Sequence, residues 1–548
     1  MTSLVYLQGQ DLTIEQVINI AEGRSRVDLK EETRRDILSF RKKVEEQIIK
    51  YPEIPIYGVN VGCGDLKDQS LNADSFESYQ IRYLRAHNCG TGNPLPERVV
   101  RAMMAIRLNS FAKGLSGVQL STCITLMEML NKGVTPWVLE EGSVGASGDL
   151  IPLSMMAASM IGLDEAKSYY QGKLLSAKEA LKRAGLSPAH LGAKEAMALT
   201  NGTTFMTAMA IFALDDAWNV FYSASMAAAL SLEAIRGETR AFDPLIHDNR
   251  PHDGQYIVAS HIRELIAGSK RMTPQAQLLR FKNQSVDTVK ARVQDRYSFR
   301  AVPQIHGPLY EALQSLESVL EIEINSATDN PLLIFDNERI EAYSGANFHG
   351  QPIATVVDYV KIALTSLALV SDKRSFSMLS QHLNYGLPKN LAIDPSQGDT
   401  GLMIAQYTGA SRAAECRILS TPASITSIST SASQEDYVSM GSVGVVHLKK
   451  IIDNIYIILS VEFLCAVRAL QMTKDKNCLE VPSDLKHEDS DILKTLGQGT
   501  QHIFNYLNQE FPLPNSDTYL RTEIEKMRHI LNSGFWKQRR KECLHTKF

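Results

Sequence analysis

The run Gly142-Ser-Val-Gly-Ala-Ser-Gly-Asp149 sets Ala146, Ser147 and Gly148 side by side and follows them with an acid. These residue types permit a reaction of the backbone on itself. Gly148 has no side chain to obstruct its amide nitrogen, so that nitrogen can attack the carbonyl carbon of Ala146. Loss of water, the Ser147 hydroxyl included, then leaves an imidazolone ring with an exocyclic methylidene. Such a ring is an electrophile made from protein alone. Taken by itself the tripeptide reads more simply as a tight turn ahead of a helix, so its surroundings have to decide.

Other chemistries fail on these residues. Ser147 lacks a nucleophile elbow, because the fifth position of Gly145-Ala-Ser-Gly-Asp149 is not glycine. A serine hydrolase would also need a base beside it. Cys63-Gly64 lacks the third glycine of a dinucleotide fingerprint. There is no HExxH, P-loop or EF-hand loop, and the 13 histidines show no metal-ligand spacing, so no metal is expected. Glycine punctuation recurs at Tyr57–Gly64, Cys89–Asn93 and Gly345–Gly350, and loops held by a rigid scaffold commonly carry sites.

The elements that must hold these loops read as helices. Leu309, Leu313, Leu316, Leu320 and Ile324 recur at steps of three or four, which puts them on one helix face. Pro308 stands where that helix would begin, and Asn325–Pro331 reads as its break. Thr203–Ile235 and Lys449–Leu470 read as long buried helices. Ala177–Leu186 reads as a short charged helix stopped by Gly185. Strand signals are short: Ile54–Val61, and Leu332–Phe335 with Ile340–Tyr343. The expected fold is mainly α, a large elongated helical bundle with a smaller N-terminal region carrying the reactive and mobile loops. Approximate boundaries fall at 1–205, 206–480 and 481–548 within one continuous unit.

Composition narrows the class. The 548 residues are 44% apolar and 22% charged, which excludes disorder, collagen and a disulfide-dense mini-protein. Lys+Arg number 57 against 61 Asp+Glu, a net charge of −4, so no nucleic-acid or anionic-membrane surface is indicated. The seven cysteines are scattered with no CxxC pair, as free thiols in a reducing compartment would be. The N-terminus lacks a signal-peptide pattern. Asp215 and Asp216 interrupt one apolar stretch, and Asp453 and Glu462 the other, so neither gives the roughly 18 uninterrupted residues of a membrane helix. A cytoplasmic protein is expected.

Several segments stand in a telling order. They are Tyr57-Gly-Val-Asn-Val-Gly-Cys-Gly64, the Ala146-Ser147-Gly148 run, Asn201-Gly-Thr203, Gln294-Asp-Arg-Tyr-Ser-Phe-Arg300, Asn325 through Pro331, Gly345-Ala-Asn-Phe-His349 and Gln434-Glu-Asp-Tyr-Val-Ser-Met440. From about Ile56 to about Val446 the chain resembles the aromatic amino acid ammonia-lyase and aminomutase family, whose prosthetic group is 4-methylidene-imidazole-5-one (MIO). The resemblance implies loss of ammonia from an α-amino acid, with MIO formed autocatalytically from Ala146-Ser147-Gly148 and no added cofactor. A β-proton is weakly acidic and an amine leaves poorly, so an electrophile that captures the amine answers the difficulty. Tyr57, on a mobile loop, is the implied base. A free tyrosine has a pKa of about 10 and needs a positive field to act near neutrality.

The remaining roles follow residue by residue. Arg300 has the fork to hold a substrate carboxylate bidentately. Tyr297 and Gln294 lie three and six residues before it and can share its side of a helix. Asn201 and Gln294 can hydrogen-bond the amine, the carboxylate and the MIO carbonyl, and Phe348 can wall the pocket. His87 falls at the family's ring-selecting position. A histidine buried against a plain phenyl ring would lose a hydrogen bond, at about 1–3 kcal/mol, so His87 favours histidine or tyrosine as substrate. Gln434-Glu435-Asp436 and Ser420-Thr-Pro-Ala-Ser-Ile425 resemble histidine-type members, and a Glu435 carboxylate can accept an imidazole N–H. Histidine is therefore the expected substrate, giving urocanate. Tyrosine or phenylalanine elimination, a 2,3-aminomutase and a silent scaffold are the alternatives. Val61, Cys63, Asn88 and Tyr437 depart from the family pattern near the pocket. The resemblance also implies a homotetramer whose active sites draw on three subunits.

Overall fold

The computed structural model describes residues 3–51, 54–62, 69, 76–279, 292–336, 339–474 and 492–534. Cys63, Gly64, Cys478 and Cys543 lie outside the described residues. Helices dominate, the longest being Thr204–Ile235, Val302–Glu323, Gln351–Leu379 and Gly441–Thr473. The chain folds into two compact units that share it in alternation. One comprises Met1–Leu214, Ser315–Asp358 and Pro422–Val446; the other comprises Asp215–Gln314, Tyr359–Thr421 and His447–Phe548.

Local chemistry explains most of the elements. The Ala177–Arg183 helix is capped by Ser176, whose hydroxyl accepts from Glu179 N, and Gly185 closes it at φ +66°. On the Val302–Glu323 helix, Leu309, Leu313, Leu316 and Leu320 are fully buried, as their spacing requires. Its start differs from the expectation. Pro308 lies inside, and Pro303 occupies the first turn, where a missing N–H has no cost. Gly307, beside it, is required by contact. A Cβ there would lie 2.6 Å from Gln255 N and 2.8 Å from Gly254 C.

The expected hairpin forms, with Leu332–Asp336 antiparallel to Arg339–Tyr343. Alternate side chains, Leu333 and Ile340, turn inward and pack with Val44, Ile56, Val59 and Ala193. That cluster floors the segment around Tyr57. Ile54–Val61 is not a strand, however. Asn60 is buried and bonds its own backbone neighbours, accepting from Ile56 N at 2.7 Å and donating to Ile54 O at 2.8 Å. A short amide side chain that captures local backbone groups competes with a strand ladder, and here the result is a turn with one bridge between Tyr57 and Val61.

Two helices, Gln351–Leu379 and Gly441–Thr473, are long and apolar enough to cross a membrane. Their most apolar windows are 67% and 83% buried inside the fold, as core helices are. Glu462, a charge that breaks the second run, is buried and paired. Arg374 Nε and Nη2 donate to its two carboxylate oxygens at 2.6 and 2.9 Å, and Ser231 and Ser371 donate to the same carboxylate. Full satisfaction is what lets such a charge sit in an apolar interior.

Candidate active site

The Ala146-Ser147-Gly148 segment is held in a bend against a second glycine. Gly148 has φ +72°, in the left-handed region. A Cβ on it would meet Gly202 O at 2.2 Å and Gly202 C at 2.3 Å, so no other residue fits. Backbone bonds clamp the two loops together: Asp149 N donates to Gly202 O at 2.7 Å, and Gly202 N to Ser147 O at 3.4 Å. Behind the bend, Ser439 Oγ donates to Gly145 O at 3.0 Å, and Met440 N to Val144 O at 2.9 Å. The tripeptide is thus held in place from both sides, and a fixed orientation favours a backbone ring closure.

Ser147 opens on a cavity of about 390 Å³ within the first unit, lined also by Tyr57, Ala146, Asn201, Phe348 and Glu435. Five of the sequence-derived candidates therefore meet Ser147 at one cavity. Ser147 Oγ donates to Glu435 Oε1 at 2.6 Å. Asn201 ends the Glu195–Thr200 helix, and its carbonyl oxygen accepts from the buried Arg107 guanidinium at 2.6 Å. Its side-chain Oδ1 is buried with no hydrogen-bond partner among the described residues. An orphaned buried acceptor on a residue that lines a cavity is an unmet demand for an N–H or O–H donor.

His87 is not among the lining residues. It ends the Phe76–His87 helix, stacks on Tyr83 at 3.9 Å, and bonds Tyr83 O through Nδ1 at 2.8 Å. A carbonyl can only accept, so Nδ1 carries the proton and Nε2 of the neutral ring remains an acceptor. Burial pushes the imidazole below its ordinary value, against the opposing pull of the Tyr83 carbonyl and the Glu435 charge. Gln294, Tyr297 and Arg300 are also absent from the lining and belong to the other unit. Gln294 and Tyr297 are exposed, and the Arg300 guanidinium lies 4.7 Å from the Tyr297 ring centre. Buried Arg374 donates to Ser298 O at 3.2 Å and so pins this short helix.

The aromatic amino acid lyase model matches residues 12–492. The chain belongs to the aromatic amino acid lyase family. This lyase is 39% identical to the histidine ammonia-lyase of Treponema denticola over 529 residues, which cover 96% of this chain and 97% of the relative. It is 38% identical to that of Caldanaerobacter subterraneus subsp. tengcongensis, covering 97% of each. Among solved structures it resembles the tyrosine aminomutase of Streptomyces globisporus, with a TM-score of 0.86, 32% identity and 99% of each chain covered. It also resembles the histidine ammonia-lyase of Trypanosoma cruzi, with a TM-score of 0.81 and 30% identity over 97% of this chain and 94% of that one. The mainly helical fold expected from sequence is the fold of these aromatic lyases and aminomutases.

Three features of the lyase's cavity were not anticipated. His349 and Asn330 also line it, and His349 stacks at 6.1 Å on Tyr437, which lines the cavity as its expected place near the pocket requires. Thr430 Oγ1 donates to Glu435 Oε2 at 2.7 Å. The third is Asp149, which sequence reading used only to reject a hydrolase. Its carboxylate is buried and accepts from Ser143 Oγ, Ser442 Oγ and Met206 N at 3.0, 2.6 and 2.9 Å. Its position one residue after the tripeptide was the available signal. Burial raises its pKa to about 6 despite these donors. The folded protein therefore binds this proton more tightly than the unfolded chain does. The resulting stability is full below about pH 4 and is lost as pH rises through about 6. Asp149→Asn does not titrate, so relative to wild type it should gain on the order of 2–3 kcal/mol between pH 4 and 7. Melting temperatures of both proteins across that range test this; a constant gap contradicts it.

Proposed function

We propose that this lyase converts L-histidine to trans-urocanate and ammonia, using MIO formed from Ala146-Ser147-Gly148. The observation that carries the reading is the cavity at which Ser147 and the Glu435 carboxylate meet in hydrogen-bonding contact. The tripeptide fits the group: its glycine is flush against Gly202, and Asn201, whose buried Oδ1 is orphaned, lines the same cavity. When formed, MIO supplies an electrophile that makes the substrate amine a better leaving group.

The chain's own residues do the rest. Tyr57 takes the β-proton. Asn201 Oδ1 accepts from the substrate amine. Glu435 accepts the imidazole N–H of histidine and fixes its tautomer. Phe348 excludes water from one wall. His87 lies outside the lining, and we assign to its neutral ring, with Nε2 as acceptor, a preference for a substrate ring that carries a donor. Arg300 binds the carboxylate, with Gln294 and Tyr297 beside it. Because these three lie outside the cavity lining and Gln294 and Tyr297 are exposed, we assign them to the site of a neighbouring copy within a homotetramer. No metal or nucleic acid takes part, and the enzyme is assigned to the cytoplasm.

Tyrosine is the second reading, because a phenol O–H can also donate to His87 Nε2, and the tyrosine aminomutase shares the fold. Purified protein incubated separately with L-histidine, L-tyrosine and L-phenylalanine distinguishes them. The conjugated acrylate is read in the near ultraviolet, and β-amino acid is assayed alongside. Turnover of histidine is expected; turnover of phenylalanine alone sinks the His87 argument. Glu435→Gln should reduce kcat/KM for histidine at least about tenfold more than for tyrosine, the worth of about 1.4 kcal/mol in one charge-assisted hydrogen bond. The reverse order removes the case for histidine.

A further inference from the structure

Glu435 is in direct hydrogen-bonding contact with Ser147. One carboxylate oxygen accepts from Ser147 Oγ at 2.6 Å and the other from Thr430 Oγ1 at 2.7 Å. Thr430 and Glu435 are also joined through their backbones, N to O at 2.9 Å and back at 3.3 Å. One oxygen is thereby tied to its own loop and the other is presented to the serine. Asp149, the acid adjacent to the tripeptide, is differently employed, since the hydrogen bonds it accepts come from Ser143, Ser442 and Met206.

The hydroxyl that Glu435 holds is the one that must leave. Closure of Gly148 N on the Ala146 carbonyl carbon expels one water, carrying the Ala146 oxygen. The methylidene requires a second water, built from the Ser147 hydroxyl and one proton, while the Cα proton of residue 147 is lost. Hydroxide leaves poorly without a proton donor, and a Cα proton leaves slowly without a base. Oγ and Cα are two bonds apart, so a carboxylate touching Oγ is close to both.

We propose that Glu435 is the proton relay for dehydration of Ser147, a role in maturation that precedes any role toward substrate. It rests on the MIO reading of the tripeptide. After ring closure the carboxylate accepts the Cα proton of residue 147 and delivers a proton to Oγ. The Cα–H and Cβ–Oγ bonds break, the Cα–Cβ double bond forms, and one water departs. The carboxylate ends as it began, and no oxidant or second acid is consumed. Loss of the hydroxyl also releases Oε1, so the same residue becomes available to substrate only when maturation is complete.

Activity cannot separate the two roles of Glu435, but mass can. The full-length chain is purified soon after synthesis, and the peptide containing Gly142–Leu150 is followed over time by mass spectrometry. Wild type is expected to become lighter by two waters. Glu435→Gln keeps the size and an acceptor oxygen but cannot relay a proton. It is expected to accumulate the peptide lighter by one water, with the second loss slowed about 100-fold or more. In Glu435→Ala, added formate should restore the second loss, which a merely structural contact would not allow. Loss of both waters by Glu435→Gln at the wild-type rate overturns the proposal. So does retention of both, which would put Glu435 in ring closure, and so does failure of formate in an alanine variant with wild-type circular dichroism. Retention of both waters by wild type overturns the MIO reading itself, and the relay with it.

Discussion

Ser147→Ala is expected to remove essentially all ammonia release, on the order of 10⁴-fold or more in kcat, the scale on which loss of a covalent catalytic group is felt. The variant has no hydroxyl to lose, so no methylidene can form whatever the ring does. The fold should tolerate the change. Ser147 makes its side-chain contact with Glu435 at the cavity, and the clamps on either side are backbone bonds to Gly202 and contacts of Gly145 with Ser439. Melting temperature should therefore move by less than a few degrees while activity disappears. Product formation at even one hundredth of the wild-type rate would mean that the electrophile comes from elsewhere.

Tyr57→Phe should lower kcat by about 10²–10⁴-fold with little change in KM, because only the phenolic oxygen is removed from a group assigned to proton transfer. The ring remains to line the cavity, and the turn beneath it is held by Asn60 and the Val59–Leu333 cluster, neither of which needs the hydroxyl. Steady-state kinetics with L-histidine, together with a peptide mass that still shows both waters lost, separates loss of the base from failed maturation. A large rise in KM at unchanged kcat would instead make Tyr57 a binding residue.

Much of this was legible in the residues. Ala146 and Ser147, Tyr57, Asn201, Phe348 and Glu435 come from five separated stretches of sequence and converge on one cavity. Short-range physics was also readable: heptad-like leucines predicted the Val302–Glu323 core face, and Gly185 the end of a short helix. What escaped was set by contacts distant in sequence. Nothing near Gly148 announces Gly202, whose backbone fills the place where a side chain would be. Asn60 overrode the strand preference of its apolar neighbours with two hydrogen bonds. Pro308 looked like a helix start because no local signal revealed that Pro303 already filled that place. The partners of Asp149 lie at positions 143, 206 and 442, so its burial could not be read from its own segment.

The alternation of the chain between its two units has a consequence for synthesis. Ser147 and Glu435 are 288 residues apart. A ribosome adding about 5–20 residues per second needs roughly 15–60 s to travel that distance, and longer still to release the segment from its exit tunnel. Through that interval the serine exists as an ordinary residue on a nascent chain whose cavity has no far wall. On the MIO reading proposed above, maturation that needs Glu435 cannot begin until that residue has left the ribosome, so translation sets its earliest moment.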